Sequence, residues 1–128
     1  MDNLAIPATD ITPTIDFNSD THVLKLSGES YPENAMRFFE PVVAWVKEFL
    51  NAGNDRSITV SFHFTMFNSS TAKILLDIIH ELNEAADSEE LVTVIWIYDE
   101  INDLIEEFGI DLQEDFPDIN VVLKPIPE

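Results

Sequence analysis

Residues 66–73 read MFNSSTAK, so three hydroxyls, Ser69, Ser70 and Thr71, follow directly behind Asn68. Such a cluster can attack a substrate, cap a helix or accept a phosphoryl group. Attack requires a base. A serine hydrolase places its nucleophile on a strained G-x-S-x-G elbow with a histidine and a carboxylate in reach. Here no glycine flanks the serines. His63 falls within an alternating strand pattern, His80 on a helical face and His22 at the start of a strand. None of these placements orients a base toward Ser69 or Ser70, which argues against a catalytic triad.

Other chemistries find less support. The chain has no cysteine, which removes thiolate metal sites, disulfides and cysteine nucleophiles together. DEINDLIEE at 99–107 is rich in carboxylates but lacks the glycine-containing calcium loop, and DSEE at 87–90 reads as a solvated turn. Acidic residues in a first helical turn already have a role beside the helix dipole. The glycines stand alone at 28, 53 and 109, so no glycine-rich loop is available to cradle a nucleotide phosphate. No catalytic residue, cofactor or metal is therefore expected.

Two readings of the hydroxyl cluster remain. In the first, Asn68 or Ser69 caps a helix and Thr71 is tolerated in the first turn. In the second, the cluster is a phosphoacceptor. A phosphoryl group there would meet free backbone N–H donors and the positive end of the helix dipole. That contact is worth only ~0.3–1 kcal/mol, so the fold would barely change while the surface gained almost two charges. The physics alone leaves both readings open.

The elements that hold this turn follow from periodicity. TIDFN (14–18) and HVLKLSG (22–28) alternate around the turn residues NSDT, as a hairpin does. Residues 29–53 read as a helix, with Ser30 and Glu33 in capping-box spacing, Pro32 in the first turn and Gly53 at the end. Ala35, Phe38, Phe39, Val42, Trp45, Val46 and Phe49 form its apolar stripe, and Pro41 is expected to kink or restart it. SITVSFHFTMF (57–67) has period two, with Ile58, Val60, Phe62, Phe64 and Met66 on one face. A second amphipathic helix covers 71–86.

LVTVIWIY (91–98) is apolar at nearly every position, the pattern of a strand covered on both sides. Asp99 is then the expected cap of a helix carrying Ile101, Leu104, Ile105 and Phe108 and stopped by Gly109. INVVLKPI (119–126) is the expected edge strand. The order, a hairpin and then alternating helices and strands, predicts an α/β domain with a mixed, mostly parallel sheet and right-handed crossover helices. The loops GESYPEN, FNSST and YDE then converge on the rim formed by the carboxyl ends of the strands.

A chain of 128 residues, 45% of them hydrophobic, suits one domain spanning 1–128. No stretch approaches ~20 apolar residues, and the N-terminus lacks a basic leader region, so a cytoplasmic location without membrane contact is expected. Six basic residues against 25 acidic ones, a net charge of -19, exclude a phosphate-binding groove and hence nucleic acid.

GESYPENA after a strand, the tryptophan of VVAWVKEFL, FNSST after the alternating strand, the opening IPATDITPTI and WIYDE together resemble the SiaC family of bacterial regulatory phosphoproteins along essentially the whole chain. The arrangement is also similar to the STAS-like fold of anti-sigma-factor antagonists, in which a phosphorylated Ser or Thr starts the helix after a central strand. The resemblance implies a non-catalytic partner switch, phosphorylated by a dedicated protein kinase and dephosphorylated by a PP2C-type phosphatase. Its unphosphorylated form would bind and activate an effector, a diguanylate cyclase, raising cyclic-di-GMP and favouring aggregation and biofilm formation. The implied acceptor follows the asparagine of the turn. Here that is Ser69, where family members can carry threonine, with Ser70 and Thr71 as alternatives. The expected partner-binding surface is Ser30, Tyr31, Pro32, Glu33 and Asn34 together with Asn68 and Ser69. The competing readings are a constitutive scaffold whose turn only caps a helix, and a small hydrolase using Ser69 or Ser70.

Overall fold

Alternation and helical spacing become six strands and three helices in the computed structural model, which describes residues 1–53, 56–87 and 91–127. The DSEE segment lies mostly outside these residues. The hairpin forms as β2 (Thr14–Asn18) and β3 (Val23–Ser30), antiparallel, with Ile15 opposite Leu26. A three-residue strand, β1 (Leu4–Ile6), adds to the outer edge of β2; it is too short to register as a period in sequence. β4 (Ser57–Phe67), β5 (Leu91–Asp99) and β6 (Asn120–Ile126) continue the sheet in parallel from β3. The helices α1 (Ala35–Asn51), α2 (Ser69–Asp87) and α3 (Asp103–Asp115) are the crossovers between them.

The six strands lie side by side in chain order. Right-handed crossovers that always step in one direction deliver every helix to the same face of the sheet. The buried rows agree. Leu24, Val60, Val94 and Val121 are neighbours in register and all buried, as are Leu26, Phe62 and Trp96. Helix α1 rests Trp45 on Phe17 at 5.1 Å between ring centroids, and α3 stacks Phe108 on Trp96 at 5.2 Å.

This topology corrects the expectation for β5. Val92, Val94, Trp96 and Tyr98 are buried, whereas Thr93, Ile95 and Ile97 are only half-buried. The strand order never reverses, so among the described residues no helix covers the second face and no crevice opens at a switch point within the sheet.

Local corrections follow from tertiary demands. Ser30 ends β3 instead of capping α1. Asn34 is the cap, its Oδ1 accepting from the Arg37 N–H at 3.0 Å. Pro41 neither starts nor ends a helix; it sits inside Ala35–Asn51 on an exposed face, where water can serve the carbonyl left without a donor. Asp99 ends β5, and Asn102 caps α3 by accepting from Ile105 N–H at 3.3 Å. Gly109 lies within α3, not after it, because a Cβ there would meet the Trp96 ring at 2.4 Å.

Candidate functional site

Met66, expected in the core, is half exposed (51%). In the β3–β4 register Gly28 pairs with Phe64 but Glu29 with Met66, so Thr65 is an extra residue that bulges β4. The bulge flips the last positions of the strand. Phe67 takes the inward place, edge-on to Phe64 at 5.7 Å and to Phe108 at 5.2 Å. The chain thereby enters the Asn68 turn already anchored.

The turn assigns a separate task to each polar residue. Asn68 donates its N–H to the Ser30 carbonyl at 3.0 Å, and its Oδ1 accepts the Thr71 N–H at 2.9 Å. Asn68 is thus the helix cap, with Ser69 and Ser70 as the first helical residues. The Thr71 hydroxyl is wholly buried, 2.8 Å from the equally buried Ser30 hydroxyl and 3.3 Å from the Ser30 carbonyl, to which it donates. This pair joins the end of β3 to the first turn of α2 across 41 residues of sequence. Ser69 and Ser70 are exposed, and among the described residues neither hydroxyl has a partner. Two hydroxyls hold the fold and two are left over.

Burial sorts the expected acceptor and contact residues. Thr71 cannot meet a kinase without opening the helix start. Ser30 and Pro32 are buried, Ser30 against Thr71 in the first turn of α2, so neither presents a surface to a partner. Glu33 and Asn34 are exposed, and they share a hollow of about 510 Å³ with Ser70 and Lys73. The SYPEN loop and the NSST turn therefore stand side by side on one rim. Tyr31, half-buried, donates its N–H to the Ile11 carbonyl at 2.9 Å and its hydroxyl to Glu29 at 3.3 Å. Desolvation, and then the adjacent Glu29 carboxylate, raise its pKa above the ordinary tyrosine value.

The third loop reaches the same rim. Asn102 Nδ2 donates to the Thr65 carbonyl at the bulge, 3.2 Å away. Beside it Ile101 and Leu104 are 62% and 80% exposed, and across the turn Met36 on α1 is 79% exposed. The sequence reading counts Ile101 and Leu104 among the apolar positions of the third helix, whereas Ile101 precedes α3 and both are exposed; Met36 it passes over. Met36 carried a signal, since it stands next to the stripe of Ala35 and Phe39 where a polar residue is ordinary. Met66 carried none, because only the bulge turns it outward. Among the described residues no three acidic or histidine side chains gather as a metal cage, and no helix is long and apolar enough to cross a membrane.

Comparison with known proteins places this geometry in company. Residues 6–126 match the family model described as SiaC family regulatory phosphoprotein. An uncharacterized protein of Pseudomonas aeruginosa (strain UCBPP-PA14) is 34% identical over 115 residues, covering 90% of each chain. The crystal structure of apo-SiaC from Pseudomonas aeruginosa superposes with a TM-score of 0.90 at 31% identity, over 97% of this chain and 99% of that one. SiaC in the crystal structure of the diguanylate cyclase SiaD in complex with its activator SiaC, also from Pseudomonas aeruginosa, gives 0.89 at 31% identity, over 96% and 99% of the two chains.

Proposed function

The chain belongs to the SiaC family of regulatory phosphoproteins, and from that premise we propose that it is a non-catalytic partner switch acting through Ser69. In the unphosphorylated form its rim binds and activates an effector, a diguanylate cyclase like the one that SiaC of Pseudomonas aeruginosa accompanies. A cognate protein kinase adds the phosphoryl group, and a PP2C-type phosphatase removes it. The output is cyclic-di-GMP signalling, with aggregation and biofilm formation downstream, in the cytoplasm.

The observation that carries this reading is the division of labour in the turn. Asn68 caps α2 and Thr71 locks it to Ser30, so the exposed Ser69 hydroxyl has no structural duty. A phosphoryl group there adds nearly two charges without breaking a native hydrogen bond. At an interface that charge must be desolvated, which costs several kcal/mol unless it is paired.

The test is phosphorylation by the cognate kinase with mass mapping, followed by effector pull-down. Ser69→Ala should remain unphosphorylated and bind the effector constitutively. Ser69→Asp should bind weakly, although one carboxylate carries less charge than a phosphoryl group. Phosphate on Ser70 would move the acceptor by one residue, and no phosphate anywhere in the turn would remove the switch.

A further inference from the structure

Between Lys73 and Lys124 the chain carries no Lys or Arg, yet most of its 25 acidic residues fall there. Helix α3 shows the bias plainly, with Asp103, Glu106, Glu107 and Asp111 and no Lys or Arg. So anionic a surface has little reason to display large apolar side chains, and at the start of α3 it displays several. Ile101 and Leu104 are both exposed and line a hollow of about 400 Å³ together with Asp99, Asn102 and Asp103. Met66, turned outward by the bulge in β4, directly follows Thr65, whose carbonyl accepts from Asn102 Nδ2 at 3.2 Å. Exposed apolar side chains bordered by carboxylates mark a contact surface rather than a solvated turn.

This patch is fixed to the acceptor turn. The bond from Asn102 holds its loop to the bulge, and Phe108 of α3 meets Phe67 edge-on at 5.2 Å, two residues before Ser69. The strands lie in chain order, so α1 and α3 stand on opposite sides of α2. The hollow that Ser70 shares with Glu33 and Asn34 therefore opens on the α1 side of the turn, and the patch flanks it on the α3 side. A partner seated on the patch grips the turn from the side and leaves the Ser69 hydroxyl uncovered.

We propose that this patch is the docking surface for the protein kinase, which meets it with a segment combining large apolar side chains and Lys or Arg. The apolar side chains of that segment cover Ile101, Leu104 and Met66, and its cations face Asp99, Glu100 and Asp103. The inference rests on the reading of Ser69 as the acceptor and deepens it by giving the kinase a surface of its own. An effector that senses the phosphoryl group must cover Ser69, whereas an enzyme acting on Ser69 must leave it open to its own active site. The phosphatase can hold the phosphoryl group itself through charge-assisted hydrogen bonds. The kinase meets the turn before that group exists and depends on the protein surface beside it. The anionic α3 side also steers a cationic partner to this flank of the turn.

The experiment measures steady-state phosphorylation of the full chain by the cognate kinase for wild type, the double variant Ile101→Ala/Leu104→Ala, and Glu100→Lys. All three positions are exposed, and far-UV dichroism with thermal melts verifies folding. The double variant should raise KM for the protein substrate by roughly tenfold, with kcat within about twofold of wild type, because docking is lost and the chemistry is not. Glu100→Lys should raise KM several-fold and flatten its dependence on salt. Cyclase binding by the unphosphorylated variants, and dephosphorylation of their phosphoforms by the phosphatase, should match wild type. A wild-type KM in both variants overturns the docking surface and leaves the switch intact. Weakened cyclase binding or slowed dephosphorylation assigns the patch to those partners and overturns it as the kinase's own. Failure of the wild-type chain to accept phosphate in the turn overturns the switch, and this surface with it.

Discussion

Asn68, Ser69, Ser70 and Thr71 are chemically similar, and their environments alone separate them. A buried hydroxyl pair is favourable only while both members remain, since a lone buried hydroxyl forfeits its solvation. Thr71→Val keeps the shape and strands the Ser30 hydroxyl, so it should destabilise by about 1–3 kcal/mol in chemical denaturation. Asn68→Ala removes a cap and should cost about 1 kcal/mol. Ser69→Ala and Ser70→Ala touch nothing structural and should stay within about 0.5 kcal/mol of wild type. A large loss for Ser69→Ala would mean that its hydroxyl serves the fold, and the argument for a spare acceptor would fail. Sequence placed the turn and its hydroxyls at a helix mouth, but not their separate tasks. The partner of Thr71 lies 41 residues away, at a distance no local pattern encodes.

At the scale of elements, the apolar stripes and alternations predicted which strands and helices form, because each must bury one face. Ends were less legible, because they are decided by what the neighbouring element needs. Gly109 is the clearest instance. As a helix terminator it would be a local feature; inside α3 it is the gap into which Trp96 fits, 2.4 Å from where a Cβ would stand. Leu123 Cδ2, at 2.7 Å, ends a flexible side chain and can shift, but the buried Trp96 ring is tied to the Ile105 carbonyl through Nε1 and cannot yield without disturbing β5 or α3. Gly109→Ala should therefore destabilise by roughly 1–3 kcal/mol through overpacking, despite alanine's better helix propensity. A stability equal to or above wild type would show that α3 can lift off the sheet without cost. Tyr98 adds a pH-dependent contact at this junction. It donates to Glu106 at 2.9 Å, and that hydrogen bond, with desolvation second, raises its pKa above 10.0. A raised pKa means the folded state holds the proton more tightly. The contribution is present in full below the unfolded value of ~10 and fades as pH rises through the folded one. Tyr98→Phe should accordingly flatten the loss of stability above about pH 10.

Over the whole molecule, two opposing features meet. The core is continuous across the single covered face of the sheet, from Ile15 and Phe17 through Phe62 to Trp96 and Leu112. Truncating it at Phe64→Ala should cost ~3–5 kcal/mol. The second face was not foreseen as open, because β5 is apolar enough to suit either side of a sheet. Only the unbroken strand order decides that, among the described residues, no helix covers the other side. Around this core sits a net charge of -19, and among the described residues the ion pair within range is Lys47 with Glu81, at 3.8 Å and substantially exposed. Such a pair contributes at most about 1 kcal/mol and cannot offset the mutual repulsion of the carboxylates. Screening should then act mainly on repulsion. At low salt the carboxylates interact over ~30 Å at 0.01 M, as far as a small domain is wide, and over ~3 Å at 1 M. Raising sodium chloride across that range should raise the melting temperature by several degrees, with most of the gain in the first few tenths molar. Potassium sulfate at equal ionic strength separates screening from strengthened apolar burial, because only the latter depends strongly on the anion. A melting temperature that falls as salt is added would show that attractive pairs outweigh repulsion, and that the acidic surface is a source of stability.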